Sequence, residues 1–270
     1  MTFSINPGVI DEVVPPAPPP PAYVAKAVHF DGTTSLTNAA LVCSDSSLLS
    51  FAGWFKTTWA VGSGGSATVF VGWPAGNFAP WLGAYSGPTY LQLGSNDGTN
   101  SCGSIEDIPA NGGSLNNTNV WQHIIGTMNT NHPSGAKKFV WYFDNNKGEL
   151  GFTPNPNTGA AFTITMNGKP WYIGDDSSGF DQYTGDMCDL SIWTGVSFFN
   201  GTETDIPLAT RQLFMDGSNK PVDPAVAIAA LGSPAVMLSG NHTTFAANSL
   251  GGGGAFSTLT GALTDAATHP

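Results

Sequence analysis

Short segments in which apolar and polar residues alternate recur along most of this chain, and no heptad or long helical repeat interrupts them. A period of two is typical of a β-strand that has one face in a core. The predicted strands are Val28–Phe30, Leu49–Lys56, Thr68–Trp73, Tyr90–Leu93, Trp121–Met128, Lys138–Asp144, Trp171–Gly174 and Asp186–Trp193. Because clusters of Gly, Asn, Ser and Pro separate these segments, the pattern predicts an all-β, antiparallel sandwich.

The clearest of these strands follows Gly185, which is predicted to form a turn. The alternation assigns Cys188, Leu190 and Ile192 to one face, and Asp189 and Ser191 to the other. We expect the apolar face to lie in the core and the polar face to meet solvent or a ligand.

Both ends of the chain differ in kind from the predicted sandwich. We assign residues 1–24 to an N-terminal arm, residues 25–215 to the sandwich and residues 216–270 to a short α/β C-terminal extension. Within the arm, Pro15–Pro21 contains six prolines, which predicts a stiff polyproline II spacer roughly 20 Å long. Further helices and strands near the C-terminal end are predicted at Leu208–Met215, Pro224–Leu231 with Asp223 as its cap, Pro234–Ser239 and Phe256–Leu263.

The charge of the chain narrows its possible partners. The formal net charge is −11, and only eight residues are Lys or Arg. Arg211 is the single arginine. Phosphate binding requires clustered basic side chains, so this composition argues against nucleic acid as a partner.

Neither the cysteines nor the apolar segments indicate export or membrane insertion. Cys43, Cys102 and Cys188 form an odd, sparse set without metal-binding spacing, and Cys188 is expected to be a small buried side chain. The first residues lack a basic and apolar leader, and Gly232 interrupts the most apolar stretch. We therefore expect synthesis in a cytoplasm and no membrane span.

Six segments occur in a recognisable order, namely His29–Gly32, Phe51–Lys56, Trp121–His123, Val140–Asn145, Tyr172–Gly174 and Gly185–Trp193. Taken together, they resemble laminin G-like domains of the concanavalin A-like jelly-roll superfamily over about Ala25 to Phe214. The sequence departs from the family at Asp144, since such domains often have Asp-Gly at this position and here the glycine comes only at Gly148. The resemblance implies a jelly-roll β-sandwich.

The C-terminal segment has a second resemblance. Residues Lys220–Gly232, Leu238–Gly240 and Gly251–Leu263 look like the ending of laminin G-like proteins found as virion components of tailed bacteriophages. This resemblance implies a non-enzymatic structural protein, in head decoration or in a tail or fibre. It would dock on other virion proteins, and on further copies of itself, through its arm and its extension. The alternative is a lectin-like, carbohydrate-binding adhesion module.

A third function, glycan hydrolysis, needs two carboxylates on one face of the fold. The only glutamates are Glu12, Glu106, Glu149 and Glu203. The single Glu-x-Asp spacing is Glu203–Asp205, in a predicted loop where Thr204 or Asp205 is expected to cap a helix instead. The five histidines have no metal-ligand spacing, and no serine lies in a nucleophile elbow. We therefore predict no catalytic residue.

Two groups of residues are candidates for ligand contact. Asp175, Asp176 and Asp181 lie in one loop and could bind calcium, or could simply stabilise turns; no other cofactor is predicted. The second group consists of aromatic residues in or beside the Gly- and Pro-rich stretch Gly72–Tyr90. Trp73, Trp81, Tyr85 and Tyr90 could stack on sugar rings, contact another protein or cover an open end of the sandwich.

Overall fold

A computed structural model describes residues 23–57, 67–72, 80–85, 90–96, 101–107, 120–131, 138–147, 160–175 and 182–270. These residues form two antiparallel sheets that face each other, with few helices. The predicted all-β, antiparallel jelly-roll sandwich is therefore confirmed as the fold. The arm lies outside the described residues except for its last two, Tyr23 and Val24.

The first sheet, here called sheet A, is built around two long strands near its centre, β3 and β12. In spatial order its strands are β10 (Asn146–Lys147), β9 (Lys138–Phe143), β8 (Gln122–Asn129), β3 (Leu48–Thr57), β12 (Thr184–Thr194), β1 (Val28–Asp31) and β15 (Thr264–Asp265). A further strand, β13 (Val236–Leu238), pairs with β12 from Leu190 to Ile192.

The second sheet, sheet B, has seven strands. In spatial order they are β14 (Ser257–Thr260), β2 (Ser35–Asn38), β11 (Trp171–Ile173), β4 (Ala67–Gly72), β5 (Pro80–Tyr85), β6 (Tyr90–Asn96) and β7 (Ser101–Asp107). The alternation of the sequence predicts β4, β6 and β11. It does not predict β2, β5 and β7, in which Gly, Ser, Thr and Pro dilute the apolar positions.

Aromatic side chains fill the core between the two sheets. Phe51 of β3 meets Phe70 of β4 edge to face, with ring centroids 5.6 Å apart. Phe70 in turn stacks on Trp171 of β11. These three rings are buried, so they join the sheets by apolar burial and by aromatic pairs that contribute about 1 kcal/mol each.

Two helices follow the last long strand, and their segment covers the outer face of sheet A, the face turned away from sheet B. Helix α1 (Leu208–Arg211) is shorter than predicted, whereas α2 (Pro224–Leu231) begins at its predicted cap. The carboxylate of Asp223 accepts a hydrogen bond of 2.9 Å from the Ala225 backbone N–H. Ala227 of α2 is buried in an apolar cluster with Trp193 of sheet A.

A β-bulge in β12 overturns the predicted face pattern of this strand. The register against β3 shifts between Cys188 and Ser191, and Asp189 has a φ of 50°. The extra residue moves Cys188 into an outer cluster with Trp54, whereas Leu190 remains in the core between the sheets. Cys188 and Leu190 therefore do not share a face, and the predicted polar face is buried. Gly185 also lies within β12 rather than in a turn.

The end of the chain joins both sheets. Instead of one strand over Phe256–Leu263, the chain forms β14, turns at Gly261 with a φ of 66°, and forms β15. Strand β14 pairs with β2 in sheet B, while β15 pairs with β1 in sheet A. A single short segment thus ties the two sheets together along one side of the sandwich.

Candidate functional site

Three of the predicted ligand-contact aromatics lie in strands of sheet B rather than in loops. Trp81 is paired with Val71 of β4, and Val71 is paired on its other side with Tyr172 of β11. Tyr85 at the end of β5 is paired with Tyr90 at the start of β6. The fourth residue, Trp73, lies outside the described residues. Whether these residues contact a ligand stays a prediction.

The register assigns all three aromatic positions to the outer face of sheet B. Directly paired residues of antiparallel strands share a face, and faces alternate along each strand. Cys102 of β7 is buried in the core, so its neighbour Gly103 occupies an outer position. Gly103 is paired with Gly94, and Gly94 is paired with Trp81. Tyr85 is four residues along β5 from Trp81, so it lies on the same face.

The same register row shows what surrounds Trp81 on this face. On one side are Val71 and Tyr172, both half-buried, and on the other side are Gly94 and Gly103. Glycine has no side chain, so the row changes from aromatic and aliphatic positions to bare backbone. Tyr172 was not among the candidates predicted from the sequence, although its position between the core residues Trp171 and Ile173 implies the opposite face.

The proposed calcium loop is only partly described. Asp175 follows β11 and Gly174, and its side chain is 3% exposed. Asp176 and Asp181 lie outside the described residues. Among the residues that are described, no three His, Cys, Asp or Glu side chains form a group that could hold a metal ion. Calcium binding stays a prediction.

On the outer face of sheet A, three charged or polar residues form one row across three strands. His29 of β1 is paired with Asp186 of β12, and Asp186 is paired with Lys56 of β3. The His29 Nδ1 atom is 2.7 Å from Asp186 Oδ1, and the Lys56 Nζ atom is 3.5 Å from Asp186 Oδ2. The buried Asp186 carboxylate therefore has a polar partner on each neighbouring strand, His29 on β1 and Lys56 on β3.

The C-terminal end of the chain lies over this row. The Lys56 ammonium donates a hydrogen bond of 2.9 Å to the Thr268 hydroxyl, and the Trp121 indole donates one of 3.3 Å to the same oxygen. Next to them, the Ala27 backbone N–H donates to His269 Nδ1 at 3.2 Å. Residues that follow the arm and residues near position 270 are thus held side by side on sheet A.

Tyr23, the first described residue, is fixed at the β12 bulge. Its hydroxyl is 3.0 Å and 2.8 Å from the two carboxylate oxygens of Asp189, and the Ser239 hydroxyl donates to the same carboxylate at 2.7 Å. Burial raises the pKa of Asp189, and these hydrogen bonds oppose that rise. Burial and the Asp189 charge raise the pKa of Tyr23, so its hydroxyl stays protonated and donates. No local pattern in the sequence signals this long-range pair.

A buried histidine lies near the middle of the same outer face. His123 of β8 is fully buried beside the Trp54 ring, and neither of its ring nitrogens has a hydrogen-bond partner among the described residues. Burial, with a smaller contribution from Arg211, lowers its pKa to about 3, so the ring is neutral. A cavity of about 10 Å³ beside it, also lined by Asp189, has room for about one water molecule.

The carboxylates of the Glu-x-Asp segment have structural partners. Glu203 accepts a hydrogen bond of 3.0 Å from Asn129, and Asp205 accepts one from the Tyr142 hydroxyl. Burial and this bond raise the pKa of Tyr142 to about 12. The prediction that Thr204 or Asp205 caps a helix is wrong, because α1 begins after Pro207 without a side-chain cap.

Among the described helices, none is long and apolar enough to cross a membrane.

No protein-family model matches the sequence, and no curated protein sequence matches it either. Solved structures with a similar fold include a heptameric SAP-like pentraxin from Limulus polyphemus, with 12% identity, a TM-score of 0.46, and coverage of 91% of this chain and 96% of the pentraxin. Domains LG4-5 of the mouse laminin alpha1 chain have 15% identity and a TM-score of 0.45, covering 64% of this chain and 43% of the laminin chain.

The enzymatically active domain of tailspike protein 2 from bacteriophage CBA120 is also similar, with 15% identity and a TM-score of 0.45. The match covers 74% of this chain and 28% of the tailspike chain. The chain thus spans less than two thirds of the laminin and tailspike structures. At these identities the likenesses concern the fold alone.

Proposed function

We propose that this protein is a non-enzymatic structural module of a larger particle and that the two ends of its chain attach it to neighbouring proteins. The observation that supports this function is the meeting of the chain ends on sheet A. The Tyr23 hydroxyl donates a hydrogen bond to the Asp189 carboxylate, and the Ala27 backbone N–H donates one to the His269 ring. The arm therefore starts from a fixed place, next to the last strand of the extension, so both can contact the same neighbour.

The setting that we propose is the virion of a tailed bacteriophage, in the head or in a tail or fibre. The resemblance of the C-terminal segment to virion proteins supports this setting, as do the low charge and the scarcity of basic residues. Other virion proteins and further copies of this chain would be the partners. Synthesis would take place in the host cytoplasm.

The test is incorporation of a chain that lacks residues 1–21. We expect incorporation into particles to be lost while the melting temperature of the purified protein stays within a few degrees of wild type. A control chain keeps the arm and replaces each proline of Pro15–Pro21 by Ser, which preserves its length and removes its stiffness. Normal incorporation of the truncated chain would overturn the proposed function.

The second candidate function is binding of an uncharged glycan by the outer face of sheet B. The observation that favours it is the register row of Tyr172, Val71 and Trp81, which continues into Gly94 and Gly103. Aromatic rings bind sugars by stacking, and the adjacent glycines leave space for the rest of a chain. In the described part of the chain both α-helices belong to segments near sheet A, so neither of them covers this row.

A glycan array with wild type and Trp81→Ala tests this candidate. Glycan binding predicts a signal that Trp81→Ala lowers at least tenfold, whereas Trp121→Phe, a change on sheet A, leaves it unaltered. If wild type gives no signal on the array, the glycan function is wrong and the structural function is unaffected.

A further inference from the structure

Strand β14 ends sheet B with an open edge. On one side it pairs with β2, and in the described part of the chain no strand pairs with its other side. All four of its residues, Ser257–Thr260, are exposed, and the Leu259 side chain is 48% exposed. An exposed edge with unpaired backbone groups is a template for an added strand.

Five strands of the two described sheets pair with another strand on one side only, and the two without a charged residue are β13, which is fully buried, and β14, which is exposed. The other three contain Lys147 in β10, Asp265 in β15, and Glu106 and Asp107 in β7. In β15, the Asp265 carboxylate also accepts a hydrogen bond from the His242 backbone N–H, so the segment at His242 lies beside this strand. Charges on edge strands discourage pairing with other chains. The composition of β14 therefore leaves it open to pairing.

The arm contains a segment suited to such an edge. Thr2–Asn6 alternates polar residues with the apolar residues Phe3 and Ile5, and none of its side chains is charged. Pro7 and Gly8 follow directly and would end a strand there. Five residues are enough to match the four residues of β14.

The reach of the arm favours a second copy over the same chain. Tyr23 is fixed at Asp189, and a polyproline II spacer over Pro15–Pro21 would extend roughly 20 Å at about 3.1 Å per residue. Residues 7–14 would add up to about 26 Å when extended. A spacer of this stiffness would carry Thr2–Asn6 away from its own body, whose radius of gyration is roughly 18 Å for a chain of this size.

We propose that residues Thr2–Asn6 of one copy add as a strand to the free edge of β14 in a neighbouring copy. This inference rests on the proposed function in one respect, namely that the arm is a docking element. It names the docking site, and it makes the partner a second copy of this chain.

Crosslinking between full-length chains tests the proposal. One chain has Ser4→Cys and the other has Thr258→Cys, both with Cys43→Ser because Cys43 is the partly exposed cysteine of the three. A short bismaleimide should link the two into a dimer. The matched control replaces Thr258→Cys by Ser218→Cys, at an exposed residue of the C-terminal extension. We expect at least tenfold more dimer with Thr258→Cys than with the control.

Two further variants test the chemistry of the pairing. Leu259→Lys places a charge on β14 and should lower the dimer yield at least tenfold. Leu250→Lys, at a leucine that is 46% exposed outside β14, should leave the yield unchanged. The double change Phe3→Asp and Ile5→Asp in the arm should abolish the dimer.

The outcomes separate this inference from the proposed function. Equal yields with Thr258→Cys and Ser218→Cys would overturn the pairing with β14. In a second experiment, a chain with both Ser4→Cys and Thr258→Cys is mixed with an excess of unmodified chain. If crosslinks form only between the two cysteines of one chain, the proposal that the partner is a second copy is overturned. If equal yields accompany a loss of incorporation on removal of residues 1–21, the arm docks on another protein and the proposed function stands.

Discussion

The Tyr23 hydroxyl reaches both carboxylate oxygens of Asp189 although 166 residues separate the two in the sequence. Asp189 is the extra residue of the β12 bulge, and its carboxylate is buried. The bulge therefore does more than bend a strand, because it turns a carboxylate toward the segment that connects to the arm. A buried carboxylate needs such donors to offset the loss of its hydration.

Tyr23→Phe removes this donor and keeps the ring. We expect the free energy of unfolding at pH 7 to fall by about 2 kcal/mol, the range for a hydrogen bond to a charged group. Ser239 still donates to Asp189, which limits the loss. Urea unfolding measures the change, and Tyr172→Phe on sheet B is the control with an expected effect below about 0.5 kcal/mol. Equal stability of Tyr23→Phe and wild type would show that the bond contributes nothing.

His123 should make the protein less stable in mild acid. Its pKa is about 3 in the folded protein because of burial, against about 6.5 in an unfolded chain. Between these values the unfolded state binds a proton that the folded state does not, so the stability from this group is present above pH 6.5 and is lost as the pH falls.

From pH 7 to pH 5 the loss from His123 amounts to about 2 kcal/mol. His123→Phe should remove this part of the pH dependence of the free energy of unfolding, whatever the substitution does to that free energy at pH 7. The measurement is urea unfolding of both proteins at the two pH values. Parallel losses in wild type and His123→Phe would contradict the assignment.

Gly185 lies where β12 approaches β3 most closely. Its φ is 153°, and a Cβ atom there would be 2.3 Å from the Lys56 backbone oxygen and 2.9 Å from the Thr57 Cα. Backbone atoms cannot move aside as a flexible side chain can, so Gly185→Ala should cost about 3 kcal/mol or more. Gly201→Ala is the control, because nothing lies within 4 Å of its Cβ. A melting temperature equal to that of the control would contradict this prediction.

Calcium is expected to leave the stability unchanged. Among the described residues, no three His, Cys, Asp or Glu side chains are grouped closely enough to hold a metal ion. Melting temperatures in 5 mM CaCl₂ and in EDTA should agree within about 1 °C. A rise of several degrees that disappears in Asp175→Asn would establish a calcium site.

The sequence predicted the framework well where apolar and β-branched residues alternate without interruption. Strand β3 and strand β8 lie within two residues of their predicted bounds at each end, and Asp223 caps α2 as expected. These features depend on local residues, and a local pattern can therefore reveal them.

Other features depend on partners far away in the sequence. The bulge at Asp189 leaves the period of two intact in the letters of the sequence, yet it moves Cys188 to the opposite face from Leu190. The site of Tyr23 on Asp189 and the row of His29, Asp186 and Lys56 arise only when strands pair. Trp81 could be chosen as a candidate from the sequence because it is aromatic. Which residues flank it in sheet B depends on the register of the paired strands.

The pairing of β1 with β15 and of β2 with β14 also has a consequence for biosynthesis. Residues as far apart as Ala27 and His269, 242 positions along the chain, must meet to close one side of the sandwich. Contacts of such long range form slowly, because their loop-closure entropy is lost before they stabilise anything. Until residues 257–265 have been synthesised, strands β1 and β2 are without these partners. Closure of the sandwich is therefore a late step of folding, and until then the chain exposes two edges that a chaperone or another copy can bind.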